Sequence, residues 1–116
     1  MKTNQTKIYQ HKDLAAGRWK EMPFVEQMAN VGGEVERALN WQNKNNPTYS
    51  KKAAERALEL MDLTIDAVKI SSHYKELTRL REALVDYFFY ANEFSSTEKS
   101  WRKYFGHFTF AARRNA

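Results

Sequence analysis

The chain of 116 residues has the length of a single domain, long enough to bury one continuous core. Its 42% hydrophobic and 28% charged residues are typical of a folded protein and exclude a disordered one. It has no cysteine, which excludes disulfides and thiolate chemistry, and no apolar run long enough for a membrane span or a secretory signal. We therefore expect a cytoplasmic protein without a membrane partner.

The first 22 residues are mostly polar and basic, and we predict that residues 1–22 form a partly flexible N-terminal extension. Pro23 suits the first turn of a helix over 23–43. Within this helix, apolar residues recur every three or four positions, as on the buried face of a helix. Gly32 and Gly33 interrupt the pattern at a cost of about 1 kcal/mol each relative to alanine, which indicates close approach of another backbone, inside the fold or between subunits.

Three further amphipathic segments follow. Pro47 opens a helix over 47–68, with Ala54, Leu58, Met61 and Ile65 as its predicted apolar stripe. Ser71 or Ser72 is the predicted N-cap of a helix over 72–91, and Ser95 to Glu98 read as a capping box for a helix over 96–114. Short loops make sequential helices antiparallel, so we predict an all-α, up-down-up-down four-helix bundle over residues 23–116.

The net charge of +5 is concentrated at the two ends of the sequence, since residues 1–20 and 95–116 each carry +4. In the predicted bundle these two ends meet at one pole, where positive charge would attract phosphate backbones or an acidic protein surface. The predicted nucleic-acid-binding residues are Lys2, Lys7, Lys12, Arg18, Lys103, Arg113 and Arg114. The alternative is that these charges serve solubility alone.

Aromatic residues exceed what one buried stripe per helix requires, especially in the last two helices. Aromatics on outward faces would form apolar patches, which commonly mark interfaces, or platforms on which RNA bases stack. We predict a homo-oligomer. Its predicted interface residues are Gly32, Gly33, Tyr87, Phe89, Tyr90, Tyr104 and Phe110.

An acidic stripe follows the second predicted helix, formed by Glu55, Glu59, Asp62 and Asp66. It could bind a divalent cation or a basic partner, but salt bridges to Arg79 and Arg81 are the favoured interpretation. No histidine follows a glutamate with the Glu-x-x-His spacing of di-iron bundles. We therefore predict no metal and no cofactor, and nothing in the sequence indicates a small-molecule substrate.

Arg102 and His107 form an Arg-x4-His motif that resembles the active site of HEPN-type ribonucleases, small helical proteins of toxin and defence systems. The resemblance implies that these two residues handle the scissile phosphate. However, five residues along a regular helix leave the two side chains about 140° apart. They would converge only across a dimer or at a distortion near Gly106.

At the level of length, charge and helix count, the whole chain resembles the ribosomal-RNA intervening-sequence proteins and the accessory variability determinant proteins of diversity-generating retroelements. The second family implies a pentameric bundle that associates with RNA and a reverse transcriptase. We therefore predict a non-enzymatic homo-oligomeric accessory protein that binds RNA, a nucleic-acid enzyme, or both. The alternatives are a HEPN-like ribonuclease and a purely structural protein-binding bundle.

Overall fold

The structure, a computed structural model, describes residues 17–114, and all regular secondary structure in this range is helical. The helices are α1 Trp19–Glu21, α2 Phe24–Asn43, α3 Pro47–Ala67, α4 Ser71–Phe89 and α5 Glu98–Arg114. The bounds of α2 to α5 lie within two residues of the predicted ones. The described part of the chain is therefore all-α, as predicted from the helical periodicity.

Helix α2 is the central element, since its backbone runs close to both α3 and α5. The Ser50 hydroxyl at the start of α3 donates to the Ala38 carbonyl near the end of α2, over 2.9 Å. On the other side of α2, Asn43 bonds to Glu98 at the start of α5. Helix α4 packs mainly on α3, and its backbone hardly approaches that of α5.

Trp19 lies before Pro23 in the sequence but packs as part of the core. Its ring is buried, and its Nε1 donates to the Thr64 hydroxyl of α3 over 3.1 Å. Gln27 closes the contact by donating its Nε2 to the Trp19 carbonyl over 2.8 Å. The core therefore begins before Pro23, because burying the indole removes a large apolar surface from water while its N–H stays bonded.

The core stripe of α3 is rotated relative to the predicted one. Met61 and Ala54 are buried as expected, but Leu58 and Ile65 are only half-buried. The remaining buried residues of α3 are Ser50, Ala53, Ala57, Leu60 and Thr64. The rotation follows from contacts that periodicity does not reveal: the face that carries Ser50 and Thr64 packs against α2 and Trp19.

Two predicted helix caps were wrong. Ile70, not a serine, is the N-cap of α4, and no side chain caps this end. The capping box of α5 lies two residues later than predicted: Thr97 Oγ1 accepts from the Ser100 amide over 3.0 Å, and Ser100 Oγ accepts from the Thr97 amide over 2.9 Å. A serine at the third helical position replaces the glutamate expected there, which leaves Glu98 free to bind elsewhere.

Candidate nucleic-acid interface

Helix α5 presents one solvent-exposed face that carries positive charge along its whole length. Its residues recur at intervals of three and four, so they line up on one side of the helix over about 22 Å. All of them are exposed, and Phe110 is 63% exposed. We call this surface the α5 basic face; it consists of Lys99, Lys103, Gly106, His107, Phe110, Arg113 and Arg114.

The opposite face of α5 explains this orientation. Trp101 and Phe105 are buried and stack on one another, with ring centroids 6.3 Å apart. Phe105 also packs directly on Gly32 of α2, where an added Cβ would lie 2.8 Å from the Phe105 Cβ. Burial of the apolar side leaves the cations facing water, as in any amphipathic surface helix.

The only carboxylate on α5 is Glu98, and it lies outside the α5 basic face. It accepts hydrogen bonds from Asn43 Nδ2 over 3.2 Å and from Arg102 Nε over 3.0 Å. These two bonds lower the pKa of the Glu98 carboxyl. Arg102 is held further by Asn40 and by Glu36, so its charge is largely neutralised within the fold.

A groove of about 310 Å³ runs beside the α5 basic face, between α2 and α5. Phe110, Gly106 and Arg113 contribute one wall, and Glu36 of α2 contributes the other. Nothing lies within 4 Å of the position that a Gly106 side chain would take, so the helix surface is open there. Arg114 lies over the Phe110 ring, with its Cζ 5.8 Å from the ring centroid. Exposed aromatic and guanidinium groups therefore share the C-terminal end of α5.

Not all of the predicted cationic residues fall on this face. Lys103, Arg113 and Arg114 do, whereas Arg18 is exposed beside α1. Lys2, Lys7 and Lys12 lie outside the described residues. Lys99 was not among the predicted residues, although its spacing of four from Lys103 was a usable signal.

The predicted interface residues have three different environments. Tyr87, Phe89 and Tyr104 are half-buried and pack against the core, and the Tyr104 hydroxyl donates to Glu76 of α4 over 2.7 Å. Gly32 is buried against Phe105, whereas Gly33 is exposed with no neighbour within 4 Å. Tyr90, 75% exposed, and Phe110 remain available to a partner.

The structure does not bring Arg102 and His107 together. Helix α5 continues without interruption through both residues, so their side chains point to different sides. Arg102 is bound to Glu98, Glu36 and Asn40, while His107 is exposed. Within one chain this pair has neither the geometry nor the free guanidinium that phosphate cleavage requires.

The acidic stripe of α3 is engaged in part by α4. Asp62 forms a bidentate pair with Arg81, with distances of 2.7 Å to Nε and 3.3 Å to Nη2. Both side chains are partly exposed, so the pair links the two helices at the surface. Among residues 17–114, no group of three or more Asp, Glu or His side chains is placed to hold a metal ion.

Two exposed aromatic surfaces contain residues that were not predicted from the sequence. Phe94, 57% exposed, lies with Tyr90 beside a groove of about 590 Å³ at the α4–α5 connection. Tyr49, 48% exposed, contacts Trp41 at the α2–α3 turn. Trp41 and Tyr49 are eight positions apart in the sequence, and only the turn between them brings their rings together.

Within the part of the chain that the structure describes, no helix is long and apolar enough to cross a membrane. No protein-family model, no curated protein and no solved structure matches the chain.

Proposed function

We propose that this protein is a non-enzymatic, homo-oligomeric RNA-binding protein, built as an antiparallel up-down-up-down four-helix bundle, whose α5 basic face binds single-stranded RNA. One observation carries the proposal: four exposed cations share a single helix face with one exposed phenyl ring and no carboxylate. Such a protein would act as an accessory to a nucleic-acid enzyme such as a reverse transcriptase, the role that its architectural resemblance implies.

The chemistry of the face suits a nucleic-acid strand better than a folded protein partner. Lys99, Lys103, Arg113 and Arg114 supply ammonium and guanidinium groups that neutralise backbone phosphates. Phe110 offers a ring face on which a base of any identity can stack. Binding through these two contacts depends on salt and is largely independent of sequence.

The test is fluorescence anisotropy with unrelated single-stranded RNAs across a salt series. Each neutralised phosphate contributes about −0.7 to the slope of log affinity against log salt. Removing both arginines in the Arg113→Ala/Arg114→Ala variant should flatten this slope by roughly one unit or more and weaken all sequences alike. The fold should persist, because the two residues lie at an exposed helix end.

The matched control is the Lys75→Ala/Arg79→Ala variant, which removes two exposed cations from α4. It lowers the net charge by the same amount, so only a site-specific effect separates the two variants. If both variants weaken RNA binding equally, the binding reflects general charge attraction and is not specific to the α5 basic face. If wild type does not bind RNA at low salt, the proposed function is wrong.

The oligomeric part of the proposal rests on the surface around Tyr90 and Phe94. Their connection is held rigidly, because the Asp86 carboxylate accepts from the amides of Glu93 and Phe94 over 2.9 and 3.0 Å. Exposed rings and a groove therefore lie on one fixed patch. In a two-fold dimer this patch would meet its equivalent on the second copy, so that the rings of one copy enter the groove of the other.

Light scattering at micromolar concentration should give more than one chain per particle for wild type. The Tyr90→Ser/Phe94→Ser variant should shift this mass towards that of the 13.7 kDa monomer. Tyr74, an exposed aromatic of α4 away from this patch, provides the control substitution Tyr74→Ser, which should leave the mass unchanged. A wild-type mass equal to that of one chain would contradict the oligomer.

A further inference from the structure

The α2–α3 turn carries a second aromatic and basic surface, separate from the α5 basic face. Trp41 and Tyr49 meet there at nearly a right angle, with ring centroids 4.9 Å apart and an interplanar angle of 86°. Together with Lys52 and Arg56 they line a pocket of about 320 Å³, which we call the Trp41–Tyr49 pocket. Two perpendicular rings form a corner, in which a planar ligand can stack on one ring and touch the other.

The backbone holds this corner in place. The Asn46 amide donates to the Trp41 carbonyl over 2.9 Å, and Asn46 Oδ1 accepts from the Tyr49 amide over 3.0 Å. Asn45 closes the turn with a φ of +58°, a conformation that asparagine tolerates better than most residues. Trp41 in the last turn of α2 and Tyr49 in the first turn of α3 are thus held in place by a hydrogen-bonded turn, which reduces the ordering cost of binding a ligand there.

The charges around the corner favour an anion. Lys44 Nζ lies 5.2 Å from the Trp41 centroid, and Lys52 Nζ lies 5.8 Å from that of Tyr49. Among the described residues neither lysine forms an ion pair, so both ammonium groups are available. The nearby carboxylate of Glu34 is already shared by Arg37 and Arg56, at 3.4 and 3.3 Å.

We infer that the Trp41–Tyr49 pocket binds an unpaired nucleobase by stacking, with the adjoining phosphate on Lys44 and Lys52. An aromatic platform next to unpaired cations is the combination that single-stranded nucleic acid uses. The inference rests on the proposed function for its ligand class. It adds a base-binding subsite to a backbone-binding surface.

The position of the pocket fits a strand that follows α5. Asn43, two residues after Trp41, is hydrogen-bonded to Glu98, which directly precedes Lys99. The pocket and the Lys99 end of the α5 basic face therefore lie at the same end of the molecule.

Tryptophan fluorescence tests the pocket directly. Trp19 and Trp101 are buried, so Trp41 is the indole that a ligand can reach. Both adenosine 5′-monophosphate and an oligoadenylate should quench the emission, and the Trp41→Phe variant should lose this quenching. By anisotropy, Tyr49→Ala should weaken oligoadenylate binding roughly tenfold, the scale of one stacked base, whereas Tyr74→Ala should not. Lys52→Glu should also weaken oligoadenylate binding, because it removes a phosphate contact.

An abasic strand of the same length separates stacking from phosphate binding. It should bind wild type and Tyr49→Ala equally, because it has no base to place in the corner. Equal affinity of wild type for the abasic and the adenine strand would overturn the inference. So would a Trp41 signal that responds to polyglutamate but to neither nucleotide, since the pocket would then be a site for acidic protein segments.

Failure of the pocket inference can be distinguished from failure of the proposed function. If Arg113→Ala/Arg114→Ala leaves RNA binding unchanged while nucleotides still quench Trp41, the α5 basic face is wrong and the pocket is right. If the arginine variant weakens binding but neither nucleotide quenches Trp41, the proposed function stands and the pocket inference fails. Lys52→Glu changes only an exposed side chain, so its result does not depend on how well the ring variants fold.

Discussion

The packing around α2 differs from the packing between α4 and α5. Where α2 packs on α3 and α5, small residues allow the backbones to approach: Ala57 lies on the face of α3 that carries Ser50, and Gly32 lies directly against Phe105. Between α4 and α5 the backbones stay apart, and large rings fill the space. We call this the aromatic interface; its members are Tyr87, Phe88, Trp101, Tyr104 and Phe105.

The difference accounts for much of the aromatic surplus seen in the sequence. Tyr87 contacts Trp101 across the two helices, with centroids 5.9 Å apart, and Tyr104 reaches Glu76. These rings are needed inside the molecule because small side chains could not bridge the wider gap. The exposed aromatic residues of this region are Tyr74, Tyr90, Phe94 and Phe110.

The largest expected effect is removal of a ring from the aromatic interface. Trp101→Ala deletes a buried indole that contacts both Tyr87 and Phe105, so the free energy of unfolding should fall by about 3–5 kcal/mol. Urea unfolding followed by circular dichroism measures it. Phe110→Ala, on the exposed face of the same helix, should change stability by less than about 0.5 kcal/mol. Similar losses in both variants would mean that the rings of α5 are not divided into core and surface.

Enlarging an alanine should distinguish the close-packed region from the aromatic interface. Ala57→Leu overfills the contact between α2 and α3 and should lower the free energy of unfolding by about 1–3 kcal/mol. Ala83→Leu makes the same change on the face of α4 that carries Glu76 and Tyr87, where the backbones are further apart, and should cost less. Thermal and urea unfolding of the two variants compare them, and a larger loss from Ala83→Leu would contradict the assignment.

Alanine substitutions at the two adjacent glycines of α2 should change the stability in opposite directions. Gly32→Ala places a Cβ 2.8 Å from the Phe105 Cβ, so α2 and α5 must move apart, and stability should fall by about 1 kcal/mol. Gly33→Ala meets no atom within 4 Å and should gain about 0.5–1 kcal/mol from helix propensity alone. Melting temperatures of the two single variants suffice as the measurement. A destabilised Gly33→Ala would point to an intermolecular contact at this position.

A change at the polar edge of the aromatic interface should have an effect of similar size. Tyr104→Phe removes the hydrogen bond to Glu76 and should lower the free energy of unfolding by about 1 kcal/mol at neutral pH. Burial, followed by the bond to the Glu76 carboxylate, raises the pKa of Tyr104 above its ordinary value of 10.0. This contribution is therefore complete below pH 10 and is lost as the pH rises towards the folded-state pKa.

Urea unfolding of wild type and Tyr104→Phe near neutral pH and above pH 10 measures this titration. The difference in unfolding free energy between the two proteins should narrow at high pH. A constant difference would show that the phenol ionises equally in both states.

Helical periodicity was enough to predict the four long helices, because the repeat of apolar residues every three to four positions is a local property. Buried residues of α2 and α4, such as Met28 and Leu84, follow the same repeat. The pattern failed for α3, where Ala57 and Thr64 are more deeply buried than Leu58 and Ile65. Burial there depends on which neighbour each face meets, and hydrophobicity alone does not encode that.

The candidate site likewise has residues that could be predicted from the sequence and residues that could not. Lys103, Arg113 and Arg114 could be found from charge and spacing on one helix, since both are written in consecutive sequence. Trp41 and Tyr49 could not, because their contact requires the turn that Asn45 and Asn46 close.

The sequence by itself determined what depends on neighbours along the chain: the helical class, the approximate ends of the long helices and the positive charge of the last one. Tertiary structure alone decided which aromatic rings are buried and which are exposed. It also decided that a side chain at position 32 would meet Phe105, and that Trp19 belongs to the core. Aromatic rings and glycines carry no local signal of their surroundings, and neither does Trp19. Their roles follow from the distance between helices, which packing of the whole chain sets.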